Sequence, residues 1–315
     1  MRLREPARSI WQKHRHAVER LRGEAGGTGR LMLGGGSILG ARWEHRRSTD
    51  IDVLLPDREA LNDAHPDGPN DLAAATRGEA SEVWKDRVKV AVEEGMLDVT
   101  AAAPLLPGME SRNDVEGHEE TVLANAQILR GKLNRTHKGV TRDAFDLVSA
   151  AKADEKALQQ ATNALTRKEW HTVCRNLINA NDDMAGEAEQ ALGEIDPAFE
   201  TDLQRLGHNA AIAVMEARYT HVRVRTADGA VIIESRTGKG PLPVERYART
   251  SGQEALTKSG IGEYLSSNTT AVRRTVAAAL DTLLRRREDG IVFDSDDTRP
   301  WERSGGLLGT ARRKG

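Results

Sequence analysis

The sequence predicts an α+β protein, and three observations predict it. Between Leu31 and Pro56 an apolar run stops at Gly34, Gly35 and Gly36, a short helical stretch follows, and DIDVLL then alternates like a strand. Val88 to Val92 and Met96 to Ala101 flank Glu93, Glu94 and Gly95 as the arms of a hairpin would. Asp154 to Met215 is helical in composition, and two Val- and Ile-rich runs then surround Asp228-Gly229 between Thr220 and Ser235, a second hairpin signal. Residues 1–152 therefore read as one domain, and residues 153–315 as a second, mainly helical one with a hairpin near 220–235.

The 315 residues leave room for two domains and a sizeable core. With 38% hydrophobic and 30% charged residues the chain reads as globular rather than disordered, and at 3% aromatic its core must rest on Leu, Val, Ile and Ala. A net charge of -2 argues against broad coating of nucleic acid and leaves room for a local patch. Charge is uneven: Arg2 to Arg22 is basic, Asp154 to Asp202 is acidic, and Arg312 to Lys314 is basic again. Cys174 is the single cysteine, so no intrachain disulfide can form, which suits a reducing compartment. The basic start lacks the apolar core of a signal peptide, and no run approaches the roughly 20 apolar residues that span a bilayer. A cytoplasmic protein without membrane contact is expected.

Element by element, Pro6 to Leu21 is expected as a helix, with Trp11, Val18 and Leu21 at helical spacing and a basic opposite face. Glu24 to Gly29 reads as a turn, Ser37 as the opening of a helix over Ile38 to Trp43, and Asp50 to Leu55 as a strand ended by Pro56. Pro56 to Ala80 reads as a loop excursion and Pro104 to Asn113 as a loop, while Thr121 to Leu133 and Thr141 to Lys152 read as helices. Further on, the helical stretch breaks near Asp196-Pro197, another helix covers Ala271 to Arg287, and the glycine-containing tail beyond Arg299 reads as loosely ordered.

The chemistry points to Asp50 and Asp52. Residues two apart in a strand share a face, so the two carboxylates project together while Ile51 and Val53 face the core. Adjacent carboxylates repel unless a cation lies between them. Mg²⁺ (or Mn²⁺) suits such a pair, because it prefers oxygen and completes its shell with phosphate and water. The three glycines permit close backbone approach, and the free N–H groups of a helix opened by Ser37 favour phosphate. A nucleoside triphosphate held between them would be placed for in-line attack on phosphorus. Each half has a plainer reading, a surface acid pair and an ordinary turn; their order and close spacing favour the chemical one. Asp98, in the second hairpin arm, is the candidate third carboxylate, with an edge acid as the alternative. Asp143 and Asp146 lie three apart and share a helix face, with Arg142, Lys138 or the helix N-terminus as partners for Asp143. His45 reads as structural, and His171 with Cys174 lacks the partner pair that zinc requires.

The run GGGSILGARWEHRRSTDIDVLLP resembles the first motif of nucleotidyltransferases with the DNA polymerase β fold. More narrowly, His45 to Asp52 resembles the AbiEii/MenT toxin group, the nucleotidyltransferase halves of bacterial toxin–antitoxin and abortive-infection systems. Ile128 to Leu147, ILRGKLNRTHKGVTRDAFDL, is similar to that group's downstream pattern, a Lys on one helix and Arg-Asp-x-x-Asp on the next. The resemblance spans Leu31 to Lys152. It implies a polymerase β-like core, a mixed sheet flanked by helices. It also implies catalytic roles for Asp50, Asp52, Lys132 and Asp146. Asp50 and Asp52 would ligate metal, with Asp98 joining them where a third acid is used. Gly35, Gly36 and Ser37 would hold the phosphates, Lys132 would contact the triphosphate, with a solvated helix face shared with Arg135 as its plainer reading, and Arg46 and Ser48 would support the metal strand or touch phosphate. The spacing from Ser37 to Asp50 is slightly long against the pattern.

The same resemblance implies a tRNA acceptor end as the group modified, growth arrest as the outcome, and a cognate antitoxin as partner. Alternatives are a protein or small hydroxyl compound as acceptor, and a module that binds nucleotide or RNA without turnover. Candidate RNA-facing groups are Trp170, His171 and Arg175, the strand row His221, Arg223 and Arg225, and the basic first helix with Arg8, Lys13, Arg15 and Arg20. Their alternative is an ordinary solvated face.

Overall fold

The structure, a computed structural model, describes residues 1–24, 31–55, 61–62, 64–66, 68, 71–101, 110–237, 240–241, 244–259, 262 and 270–295. Its first half is organised around seven strands: β1 (Met32–Gly34), β2 (Asp50–Leu55), β3 (Glu79–Trp84), β4 (Arg87–Val92), β5 (Gly95–Ala101), β6 (Glu110–Val115) and β7 (His118–Leu123). They lie side by side in the order β3-β4-β5-β2-β1-β7-β6. β2 runs antiparallel to β1 and parallel to β5, and β1 runs parallel to β7, so the sheet is mixed. β2 takes the centre because Ile51, Val53 and Leu55 are buried while Asp50, Asp52 and Leu54 keep some exposure. Helix α1 (Ala7–Glu24) packs Ile10, Trp11 and Leu21 into the core beside β2 and β5. The expected class, α+β with a mixed sheet flanked by helices, is what the chain adopts.

Several boundaries differ from the expectations. Helix α2 (Gly35–Trp43) opens two residues before Ser37, with Gly34 as its N-cap. The 56–80 excursion contains α3 (Leu72–Thr76), and its end begins β3, a sheet-edge strand whose Val83 and Trp84 are exposed. Such an edge carries no apolar alternation to read. The stretch 104–113 contains the start of β6, another mostly exposed edge strand; residues 102–109 lie outside the described residues. Thr121 to Leu133 is not one helix: residues to Leu123 belong to β7, and α4 (Asn125–Asn134) starts afterwards. Thr121 and Val122 find ladder partners on both sides, Met32 and Leu33 of β1 and Arg112 and Ser111 of β6, and tertiary pairing of this kind overrides local propensity. The expected turn at Glu24–Gly29 falls outside the described residues from residue 25, and so does the tail beyond Arg299.

α5 (Thr141–Ala153) leads into α6 (Glu155–Asn163), α7 (Arg167–Asn179), α8 (Asn181–Leu192) and α9 (Leu206–Arg218), with the expected break at Asp196-Pro197, where Asp196 caps a short 3-10 turn. Thr166 and Glu169 form a capping box at the start of α7. α9 buries Ala210, Ala211, Val214 and Met215 against α5, α6 and α7, so α5 joins the sheet's helices to the helical cluster. The expected hairpin exists as β8 (Tyr219–Ala227) and β9 (Ala230–Thr237), joined by Asp228 and Gly229 at φ 47° and 67°, the left-handed pair that a two-residue hairpin turn requires. The hairpin is part of a five-stranded antiparallel sheet with β10 (Gly240–Pro241), β11 (Glu245–Ala248) and β12 (Gly290–Asp294). That sheet carries α10 (Gly252–Ser259) and α11 (Thr270–Arg286). The second region is thus richer in strand than a helical domain with one hairpin, because the added strands are too short to leave a periodic signal. Among the described residues no helix is long and apolar enough to cross a membrane.

Candidate active site

The turn from β1 into α2 is shaped around two side chains of the segment that follows. Gly34 pairs with Asp52 across the β1–β2 ladder. Gly35 then adopts φ +70°, and a Cβ added there would lie 1.7 Å from Asp52 Oδ2; both facts demand glycine. A Cβ on Gly36 would lie 2.6 Å from Arg46 Nη2. The glycines make room for Asp52 and Arg46, whereas the sequence pointed to a tight turn and close approach of a ligand. Ser37 is buried and donates to Gly34 O at 3.3 Å.

Asp50, Asp52 and Asp98 occupy one neighbourhood of the sheet. β2 and β5 run in parallel register with Asp52 directly opposite Asp98. The three have different partners. Asp50 accepts from Thr49 Oγ1 at 3.0 Å and from Arg142 Nη1 at 3.0 Å. Asp98 is buried, and its two oxygens are gripped by Arg87, with Nε at 2.7 Å and Nη2 closing the fork. Asp52 has no hydrogen-bond or ion-pair partner among the described residues. Burial first, and Asp98 second, push its carboxyl up to about 6.

Behind this strand lies a closed ionic cluster. Asp146 is fully buried and accepts from Arg46 Nε at 2.7 Å and Nη2 at 2.8 Å. It also meets Lys132 Nζ at 2.6 Å and His45 Nε2 at 2.7 Å. Burial alone would raise Asp146, yet Arg46, Lys132 and His45 hold it well below the usual carboxylate range. Asp143 meets Lys132 at 2.8 Å and Arg135 at 3.1 Å; these are its partners, in place of Arg142, Lys138 or the helix N-terminus. Burial would lower the Lys132 ammonium, but Asp143 and Asp146 outweigh that and raise it. His45 stacks on Phe145, at 5.8 Å between ring centroids, inside the core, and burial lowers its imidazole. Ser48 is buried, with its hydroxyl 3.4 Å from Asp50 O.

The structure therefore places Asp50, Asp52 and Asp98 in a carboxylate row on β2 and β5, and Arg46, Lys132 and Asp146 in a buried cluster. Lys132 gives two of its three N–H groups to Asp143 and Asp146, and its side chain is only 3% exposed. Sequence reasoning missed Arg87 and Arg135 as partners of these acids and offered Arg142 to Asp143 instead of Asp50. Arg142 stood in the quoted RDAFD motif, and only the fold shows that it reaches Asp50, 92 residues earlier.

Could these residues hold a divalent cation? No group of three or more His, Cys, Asp or Glu side chains forms a ready metal cage among the described residues, because Asp98 is turned to Arg87 and Asp50 to Arg142. Two carboxylates plus substrate phosphates suffice for Mg²⁺, however. Asp50 and Asp52 share a partly exposed face, and the raised carboxyl of Asp52 marks a position where a cation would relieve the repulsion. The donor set fits.

On the surfaces nominated for RNA several cations are paired and Trp170 is buried, while Arg20 and Arg175 are exposed. Trp170 is fully buried, edge-on to Tyr219 with Arg218 over its ring, and is a core residue. Arg223 pairs with Asp294 and Glu234, and Arg225 with Glu234; the side chain of His221 lies outside the described residues. On α1, Arg8 pairs with Glu116, Lys13 with Glu94 and Arg15 with Glu19. Arg142, the partner of Asp50, also lines a cavity of about 710 Å³ together with Lys138 and Thr141, and Asp182, Asp183 and Glu187 lie in the same lining.

No protein family and no curated protein matches the chain by sequence. Solved structures with backbone similarity include a candidate nucleotidyltransferase from H. pylori, at 16% identity over 68% of this chain and 96% of its own, with a TM-score of 0.40. JHP933 from Helicobacter pylori is similar at 16% identity over 68% of this chain and 93% of its own, with a TM-score of 0.41. The antibiotic-resistance factor ANT(2'')-Ia is similar at 13% identity over 58% and 96%, with a TM-score of 0.31. Likenesses this shallow carry no functional argument.

Proposed function

We propose that the chain is a divalent-cation-dependent nucleotidyltransferase with a polymerase β-like core. It transfers a nucleoside monophosphate from a nucleoside triphosphate to an acceptor hydroxyl. The observation that carries this is the position of Asp52: without a hydrogen-bond or ion-pair partner among the described residues, raised to about 6, facing Asp98 across the sheet and lying against the glycine turn at the start of α2. In the transfer, the acceptor oxygen bonds to the α-phosphorus, the bond to the pyrophosphate oxygen breaks, and the hydroxyl proton is lost to solvent. Asp50 and Asp52 would hold Mg²⁺ or Mn²⁺, which when bound supplies charge neutralisation to the attacking and leaving oxygens. Gly35, Gly36 and the first turn of α2 let the triphosphate approach the backbone closely. Lys132 is aligned by Asp143 and Asp146 and offers its third proton to a phosphate oxygen. Arg46 orients Asp146 and fills the space beside Gly36, so it acts as a positioning residue.

For the acceptor we propose an RNA hydroxyl, the tRNA acceptor end, within a toxin–antitoxin or phage-defence system; the motif resemblance supports this. A second reading is favoured by one observation. The cavity beside Arg142 has the volume of a small-molecule site, and the lining acids Asp182, Asp183 and Glu187 suit a cationic hydroxyl compound better than a phosphate backbone. Incubation with α-labelled nucleoside triphosphates, Mg²⁺ and either total RNA or small hydroxylated amines separates the two. Label should enter one acceptor class with wild type and neither with Asp52→Ala. No labelling by wild type, or equal labelling by the variant, would end the proposal.

A further inference from the structure

Asp50 is the one nominated metal ligand whose arginine partner is itself partly exposed and, among the described residues, paired with no second carboxylate. The side chains of Asp50 and Arg142 are 24% and 35% exposed, and ion pairs this open hold weakly. The other cations near the row are committed elsewhere. Lys132 already meets Asp143 and Asp146, Arg46 meets Asp146, and Arg135 meets Asp143. Arg87 has both oxygens of the buried Asp98. Arg142 stands at the second residue of α5, one face on Asp50 and Thr49 and another lining the cavity.

We propose that Arg142 is a displaceable counter-ion of Asp50 and, once displaced, a ligand for the phosphates of the nucleoside triphosphate. This rests on the nucleotidyltransferase proposal. In the metal-free chain the guanidinium neutralises a carboxylate that would otherwise face Asp52 unscreened. A divalent cation on Asp50 repels the guanidinium and carries more charge, so it takes the carboxylate. The released guanidinium is a planar, permanently charged fork that matches phosphate oxygens, and a triphosphate drawn to the cation on these carboxylates lies beside it. Arrival of metal and nucleotide thereby supplies a phosphate donor that is masked in the empty site, and binding of either favours binding of the other.

Mn²⁺ alone, titrated by electron paramagnetic resonance, tests the first half. Arg142→Gln should bind Mn²⁺ about three- to ten-fold more tightly than wild type, with Arg142→Lys in between. At saturating Mn²⁺, α,β-methylene analogues of the four nucleoside triphosphates test the second half. Whichever analogue wild type binds should bind Arg142→Gln at least ten-fold more weakly, and Arg142→Lys should recover part of the loss. Melting curves check folding, and if the Gln variant does not fold, the Lys variant carries both comparisons with smaller shifts of the same sign. Equal or weaker Mn²⁺ binding by the variants overturns the counter-ion role, and unchanged analogue affinity overturns the phosphate role. If wild type binds Mn²⁺ but no analogue, the nucleotidyltransferase proposal and the phosphate role fall together, while the Mn²⁺ titration still decides the counter-ion role.

Discussion

Asp52→Asn keeps the shape of a side chain and removes its charge, in a place where that charge is costly. Asp52 faces Asp98 across the sheet, lies against Gly35 and has no donor of its own among the described residues. Its carboxyl is raised from 3.8 to about 6. Each step in pKa is worth about 1.4 kcal/mol, so ionised Asp52 costs the folded state up to roughly 3 kcal/mol. The sign follows from linkage. The unfolded carboxyl loses its proton near 3.8 and the folded one near 6, so folding takes up a proton in that window. Stability therefore falls as pH rises through it, with the penalty complete above and absent below. In EDTA at pH 8, Asp52→Asn should melt up to roughly 5 °C above wild type, and the gain should shrink towards zero at pH 4. Adding Mn²⁺ should raise the melting temperature of wild type and leave that of the variant unchanged, while nucleotidyl transfer by the variant is lost. Thermal denaturation at the two pH values is the assay. A variant no more stable than wild type at pH 8, or equally stabilised at both pH values, would refute the argument that Asp52 is held as a cation-seeking carboxylate.

Other substitutions probe the surroundings. Asp146→Ala strands Arg46 and Lys132 in the interior, and urea unfolding should show a loss of about 3–5 kcal/mol; a loss under about 1 kcal/mol would remove the cluster from the list of structural supports. Because Asp146 is held low, its contribution is present above the ordinary carboxylate range and disappears only as pH falls through its depressed value. Asp146→Asn should accordingly flatten the acid limb of the stability profile. Gly35→Ala combines a left-handed backbone with a Cβ in the space of Asp52, so a loss of about 1–3 kcal/mol and weakened Mn²⁺ binding are expected, and normal values of both would clear Gly35 of any role. Trp170→Ala should cost about 3–5 kcal/mol and leave the affinity for RNA, measured well below its melting temperature, at the wild-type value; a specific loss of RNA binding would restore Trp170 to a recognition surface.

The alternation of Asp50–Leu55, the glycines before α2 and the Asp228-Gly229 turn were legible in the sequence because their causes are local. A buried face every second residue, a backbone that must reach φ +70°, and a two-residue left-handed turn each act within a few positions. The motif from Lys132 to Asp146 was likewise visible as a pattern. Edge strands β3 and β6 were not, since their side chains face water and leave no periodicity, and β7 was hidden because its stability comes from pairing with β1 and β6 on either side. Residue types and spacing by themselves determined that two carboxylates would share a face near a glycine turn. Only the tertiary structure decided what each charged group meets: Arg46 meets Asp146 across 100 residues, Arg142 meets Asp50 across 92, and Asp52 meets Asp98 through strand order. The Coulomb forces that set these partners act through space between strands and helices, and the order in which those elements pack follows from burying the whole core together.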